Sequence, residues 1–285
     1  MHSSSDSRLV VTGAGGQLGR AACALAPDAL ALGHRDLDIT DSRAVRAVLR
    51  PGDVVLNCAA YAAVDAAESD EAGAFAGNET GPAVLAAACE ALGARLIHIS
   101  TDYVFDGAGD RPYEPDDPTG PTSVYGRSKL AGERAVLELS GNARIVRTAW
   151  VYTGDRGDFV ATMRRLERER ETVSVVNDQI GSPTFAADLA AGLLELAARP
   201  QPPMSRILHA TNAGRATWFD LARAVFEGVG ADPERVRPCM SAEFPSPVRR
   251  PAYSVLSDRV WVAAGLTPLR DWRLALADAL ARISG

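Results

Sequence analysis

Lysine is almost missing from this chain. Lysine and arginine together number 30 in 285 residues, and all but one of them, Lys129, are arginine. Histidine is scarce too, and its four copies, His2, His34, His98 and His209, are too dispersed to build a metal cluster. The four cysteines (Cys23, Cys58, Cys89 and Cys239) show no CxxC spacing, so neither a zinc knuckle nor a disulfide framework is expected. Free thiols in a reducing compartment fit them better. A surplus of positive charge is also lacking. The net charge of −6 argues against a nucleic-acid partner, which needs a basic face. No run of about 18 uncharged apolar residues occurs, so no membrane span is expected. The first residues, Met1 to Ser7, have neither a basic start nor an apolar stretch. They read as a disordered tail over 1–7 and not as a signal peptide, which makes the cytoplasm the expected location. No repeat of fixed period is seen.

What is present is ordinary for a soluble protein, with 47% apolar and 23% charged residues. A chain of 285 residues can bury a sizeable core as one large domain or two unequal ones. Lys129 stands four residues after Tyr125. On a helix that spacing puts both side chains on one face. A nearby ammonium favours phenolate and is expected to lower the tyrosine pKa from about 10, which suits a general acid near neutral pH. The alternative is a surface lysine on an amphipathic helix.

Taken in order, Leu9–Val11 is a short β-branched run that ends in Thr12-Gly13-Ala14-Gly15-Gly16-Gln17-Leu18-Gly19, with helical spacing of Leu18, Ala22 and Leu25 behind it. Strand, glycine turn and helix form the setting of a dinucleotide site. Gly13 allows the tight turn, Gly16 lets backbone approach a pyrophosphate, and Gly19 lets the helix pack closely on the strand. The helix N-terminus then offers free N–H groups to phosphate. The spacing is GxxGxxG, and a plain turn remains the alternative. A second strand over 29–32 ends in Gly33-His34-Arg35, where an NAD enzyme often has an acid for the ribose 2′-hydroxyl. The missing acid and the available Arg35 point to a 2′-phosphate and so to NADPH, with NADH possible; an exposed loop arginine is the other reading.

Thr40 or Asp41 caps the next expected helix. Residues 53–60 read as a buried strand, and 64–91 as helix broken near Gly81-Pro82, with Asn78 a turn or cap residue. Thr101 follows the strand 95–99 and stands where α/β sheets bind ligands. A loop over 106–121 leads to Thr122-Ser123, caps for the helix with Tyr125 and Lys129. Residues 142–152 form one more strand. This alternation predicts an α/β fold, a Rossmann-type doubly wound parallel sheet with a smaller C-terminal substrate-binding lobe. The sheet domain is expected over 8–154 plus 186–214, and the lobe over 155–185 and 215–285. The terminal helix, 272–283, is expected to pack internally.

The residues now in view resemble the extended short-chain dehydrogenase/reductases over nearly the whole chain, through Thr12-Gly13-xx-Gly16-xx-Gly19 and Tyr125-xxx-Lys129. The likeness is greatest to the branch that reduces dTDP-4-dehydro-L-rhamnose. It rests on Leu37–Asp41, Ser100–Gly107, Tyr125–Glu133, Arg147–Tyr152, Gln179–Thr184 and Arg250–Leu256. The resemblance implies that Tyr125 is the general acid, that Lys129 binds the nicotinamide ribose and tunes Tyr125, and that Thr101 hydrogen-bonds the substrate oxygen. Asp102, Tyr103 and Trp150 would line the sugar pocket. Gly13, Gly16, Gln17, Leu18, Gly19, Asp38, Ile39, Ala60, Tyr61 and Ala62 would meet the cofactor. Arg250, with Arg249 second, is the candidate for the diphosphate of a dTDP-linked 4-keto-deoxysugar. Two departures stand out. Ala62 replaces a frequent threonine, and Ala21 and Ala187 stand where some relatives carry metal-binding glutamates, so no metal is expected. The implied state is a monomer or homodimer. Alternatives within the resemblance are a ketoreductase for another dTDP-deoxysugar, an NAD-holding epimerase or dehydratase, and a non-catalytic regulatory subunit like that of methionine adenosyltransferase.

Overall fold

A computed structural model describes residues 7–155, 157–199, 205–244 and 246–284. Of the tail expected over 1–7, only Ser7 is among them. The strands are β1 (Leu9–Thr12), β2 (Leu30–Leu32), β3 (Val54–Asn57), β4 (Arg95–Thr101), β5 (Arg144–Thr148), β6 (Val151–Tyr152), β7 (Val173–Val176), β8 (Ile180–Gly181), β9 (Thr184–Phe185), β10 (Ile207–His209), β11 (Ala216–Thr217) and β12 (Val236–Cys239). The α-helices are α1 (Gln17–Leu25), α2 (Ser42–Val48), α3 (Val64–Ala67), α4 (Glu71–Phe75), α5 (Gly81–Leu92), α6 (Val124–Leu139), α7 (Phe159–Glu169), α8 (Ala186–Ala198), α9 (Trp218–Gly228), α10 (Arg259–Ala263) and α11 (Trp272–Ser284).

Six parallel strands form the main sheet in the order β2-β1-β3-β4-β5-β10. Their apolar runs are buried on both faces, as crossover helices require. Leu18 and Ala22 of α1 and Leu189 and Leu193 of α8 pack on one face with Val11, Leu56 and Ile97. Val45 of α2, Leu85 of α5 and Val136 of α6 cover the other with Val10, Val55 and Leu96. The chain leaves β1 toward β2 on one side and returns to β3 on the other. A crevice therefore opens at the carboxyl ends of β1 and β3, the place where such sheets take ligands.

A second apolar cluster lies beyond the sheet, formed by α7, α9 and α11 around Val160, Phe226 and Trp272. The terminal helix is thus packed internally, with Trp272 only 1% exposed. Trp261, Leu266 and Leu269 instead join the cluster under α8, so this part of the expected lobe leans on the sheet domain.

Two local expectations give way. Gly81-Pro82 does not break a helix. Pro82 sits in the first turn of α5, where its missing N–H costs nothing, and a π-helical turn over Ala76–Thr80 leads into it. The strand expected over 142–152 splits at Ala149-Trp150, because β6 leaves the main sheet to pair with β9. Trp150 makes that exit with φ 48°, the one non-glycine residue with positive φ among those described.

Candidate active site

The glycine turn closes over β1 as its spacing predicts. Gly13 has φ 69°, and a Cβ on Gly19 would collide with the Gly13 carbonyl. Gly16 caps α1 in extended conformation, and its N–H bonds the Gly13 carbonyl at 3.0 Å. Beside the turn lies a cavity of about 530 Å³, lined by Gly13, Gly16, His34, Asp38, Ile39, Ala60 and Tyr61 among others. Arg35 is exposed and stands outside this wall; its neighbour His34 is the residue that faces the cavity. Asp38 does line it, with its carboxylate accepting from the Thr40 N–H (2.9 Å) and hydroxyl (2.8 Å). Those bonds hold its pKa below the usual range. The Leu18 side chain is buried in the core, so only its backbone can serve a ligand. The Gln17 amide reaches across to Asp158 (3.5 Å). Ala62 is exposed and outside the wall.

The floor is tied together by buried amides. Asn57 accepts from the Thr12 hydroxyl (2.7 Å) and the Ala59 N–H (3.1 Å), and its amide nitrogen meets His98 Nδ1 at 2.9 Å. Burial keeps His98 well below its ordinary pKa, hence neutral. Asn78 is no turn residue. It is buried in the π turn, accepts from the Tyr61 N–H (2.9 Å), and donates to the Tyr61 carbonyl (3.0 Å) and to Ser128 Oγ (3.0 Å). Ser128 in turn donates to the Tyr125 carbonyl (2.8 Å), so one amide fixes the cavity wall to the helix that carries Tyr125.

Tyr125 and Lys129 lie in the first turns of α6, which Ser123 caps by accepting from the Gly126 N–H (3.0 Å). Thr101, at the end of β4, donates to Asp102 Oδ1 (3.0 Å) and accepts from the Tyr103 N–H (3.2 Å), and its hydroxyl lies near enough to the Tyr125 phenol to influence its titration. The Tyr103 and Tyr125 rings meet edge to face at 5.6 Å. The expected lowering of the Tyr125 pKa is not found. Burial pushes it up, the nearby Thr101 hydroxyl pulls it down, and Asp102 and Tyr103 push it further up. The physical reason is where the ammonium goes. Lys129 Nζ donates to the Ile99 carbonyl at 2.7 Å, below the sheet edge, and only 2% of the residue is exposed. Burial lowers its own pKa to about 8, against the pull of Glu133 and Cys58. Asp102 is buried as well, which raises its carboxyl to about 6 in spite of bonds from Ser254 and Thr101.

Trp150 stacks on Trp218, with ring centroids 3.5 Å apart and planes within 6°. Arg250 donates to the Tyr103 hydroxyl (3.1 Å) and to both oxygens of Asp65 (2.7 Å each). Arg249 and Arg250 line a further cavity of about 420 Å³ with Asp178, Gln179, Ser241 and Phe244. The arrangement is a dinucleotide-sized crevice, a hydroxyl and a phenol converging at one strand end, and a cationic cavity beyond them.

Known proteins resemble this chain over nearly its whole length. The family model described as the RmlD substrate binding domain matches residues 7–284. A dTDP-4-dehydrorhamnose reductase of Mycobacterium tuberculosis is 59% identical over 283 residues, covering 96% of this chain and 92% of that protein. The chain belongs to the dTDP-4-dehydrorhamnose reductase family. A dTDP-4-keto-6-deoxy-D-glucose reductase of Streptomyces niveus is 47% identical over 280 residues (95% and 96% covered). Among solved structures, the Bacillus anthracis dTDP-4-dehydrorhamnose reductase in complex with NADP superposes with a TM-score of 0.91 at 35% identity, covering 97% of this chain and 99% of that one.

Within this family frame, sequence reasoning located the strand-end hydroxyl, the phenol and the glycine turn. It passed over Asp65 and Trp218, gave Asn78 only a turn or cap role, and met Gln179 only within a stretch that carried the resemblance. The structural role of Asn78 could have been found, since an asparagine three residues ahead of Gly81-Pro82 inside a helical run has little local use. The other three are defined by partners far away in the chain.

Proposed function

We propose that this chain reduces the 4-keto group of dTDP-4-dehydro-L-rhamnose to give dTDP-L-rhamnose, with NADPH as the reductant. The observation that carries the reading is the grouping of the Thr101 hydroxyl and the Tyr125 phenol around Tyr103 at the end of β4, beside the glycine-lined crevice. The crevice fits a dinucleotide, because the backbone of Gly13, Gly15 and Gly16 lines it at the N-terminus of α1. Bound there, NADPH supplies the hydride. Family membership with 59% identity to a named reductase supports the substrate.

Tyr125 gives its proton to the ketone oxygen as that oxygen gains negative charge. Its raised pKa keeps the phenol protonated throughout the neutral range, the state an acid needs. Thr101 turns its hydroxyl from Asp102 to the same oxygen and holds it within reach. Lys129 keeps α6 seated on β4 and places a cation beside Cys58 in the crevice wall. Asp102, Tyr103 and Trp150 frame the sugar. Arg250 and Arg249 take the diphosphate, since they are the cations of the cavity that adjoins Tyr103. The enzyme in this reading is a cytoplasmic monomer or homodimer that needs no metal, with alanines at positions 21 and 187.

The test is oxidation of NADPH on adding enzymatically made dTDP-4-dehydro-L-rhamnose. Folded protein that leaves NADPH intact would overturn the proposal. A second dTDP-4-keto-deoxysugar is a real competitor, given the Streptomyces niveus relative. The ratio of kcat/KM values for the two sugars, measured in one assay, decides between them.

A further inference from the structure

Trp150 is fixed by contacts that begin far from the reacting atoms. Its backbone occupies the left-handed region, which a tryptophan keeps only when its surroundings hold it there. One restraint is Gly181, where a Cβ would collide with the indole. The other is Trp218, stacked on it at 3.5 Å. Phe159 packs against Trp218 with ring centroids 4.6 Å apart. Trp218 is itself rigidly mounted. It is the first residue of α9, directly after Thr217, which forms a reciprocal capping box with Asp220.

The polar edge of Trp218 looks elsewhere. Its Nε1 donates to Gln179 Oε1 at 3.1 Å. Gln179 Nε2 donates to Ser241 Oγ (2.8 Å), and that hydroxyl donates to Asp178 (2.6 Å). Gln179, Ser241 and Asp178 all line the cavity of Arg249 and Arg250. Trp218 therefore presents its face to the sugar side and its N–H to the nucleotide side.

We infer that Trp218 is a positioning residue that couples occupancy of the Arg249–Arg250 cavity to the placement of the Trp150 indole, through the hydrogen-bonded run Trp218–Gln179–Ser241. This rests on the reading that the cavity takes the diphosphate and that Trp150 frames the sugar. A nucleotide diphosphate in the cavity then sets the wall against which the keto-sugar is oriented.

The experiment uses dTDP, which has the diphosphate but no sugar. Two stacked indoles give a near-UV circular dichroism signal that depends on their mutual orientation. In the wild type, saturating dTDP changes that signal, while calorimetry reports binding independently. In Gln179→Leu, at dTDP saturation established by calorimetry, the change is lost. Trp218→Phe keeps an aromatic ring to support the fold but has no N–H. It lowers kcat for the sugar nucleotide by up to about a hundredfold, the scale of a substrate misplaced by about 1 Å. It leaves the affinity for dTDP within about twofold, the range expected when no contact to the ligand is removed. An unchanged dichroism response in Gln179→Leu, or wild-type kcat in Trp218→Phe, overturns the coupling. Absence of dTDP binding to the wild type sinks the diphosphate reading and the coupling with it; binding with no dichroism change sinks the coupling alone.

Discussion

Replacing Lys129 by methionine should make the protein more stable at neutral pH while destroying its activity. The ammonium is buried to 2% exposure, and its pKa falls from the usual 10.5 to about 8. Bringing that charge into the fold therefore costs about 3 kcal/mol at neutral pH, at 1.36 kcal/mol per tenfold change in proton affinity. The sign follows from proton counts. Between pH 8 and 10.5 the unfolded chain holds a proton on this lysine that the folded chain has lost, so stability rises with pH across that window. Below pH 8 both states are protonated and the full penalty is present. Methionine keeps the stem and removes the charge. It also removes the bond to the Ile99 carbonyl, a loss of about 1–2 kcal/mol. The net expectation at pH 7 is a gain of about 1–2 kcal/mol for Lys129→Met, measured by urea unfolding followed by tryptophan fluorescence. At pH 9.5 the gain should shrink by about 2 kcal/mol, because the wild-type lysine has by then released its proton in the fold. Other titrating groups are common to both proteins and cancel. A stability difference that is the same at both pH values would refute the buried-charge argument.

Tyr125→Phe should lower kcat by about 10²–10⁴-fold through loss of the proton donor, while calorimetry shows NADPH still bound. Gly181→Ala puts a methyl group into the Trp150 indole. It should cost about 1–3 kcal/mol of stability in thermal unfolding and raise KM for the sugar nucleotide. Asp65→Asn removes the carboxylate that occupies Arg250. Because Asp65 is half exposed (51%), the ion pair is a weak competitor, and dTDP should bind at most about fivefold tighter by calorimetry. Weaker binding would mean that Asp65 aims Arg250 instead of competing for it.

Where a structural choice is made within a few residues, the sequence displayed it. Asp41 caps α2 by accepting from Arg43 and Ala44, and Ser123 caps α6, both at positions their side-chain chemistry favours. The glycine turn and the Tyr125–Lys129 spacing are local in the same sense. What depends on distant partners was not displayed. Arg250 and Asp65 are 185 positions apart, and Asn78 and Ser128 are 50 apart. Six of the nine residues 144–152 are β-branched or aromatic, so the run reads as one strand past Ala149; the pairing of β6 with β9 is what sets the exit at Trp150. The Tyr125 pKa failed for a related reason. Spacing shows that two side chains share a face, but not that one of them spends its proton on a neighbouring strand while the other is partly buried beside Asp102.

The socket of Lys129 accounts for the single lysine in an arginine chain. Among the described residues its hydrogen-bond acceptor is the Ile99 carbonyl at 2.7 Å, with a carboxylate one turn further on. That carboxylate, Glu133, is already held by Arg147 through two bonds of 2.8 and 2.7 Å. An ammonium has three donors on a slender stem and can shed its proton where water is excluded. A guanidinium has five donors in a rigid plane and cannot. Placed here, an arginine would bury several N–H groups without partners, each at about 1–3 kcal/mol. Arg147 shows what a buried arginine needs in this fold: both Glu133 oxygens, the Pro115 carbonyl at 3.1 Å and the face of Phe105 at 5.0 Å. No such set is available below β4. The position therefore selects lysine by the number of acceptors within reach, a constraint that net charge alone would never reveal.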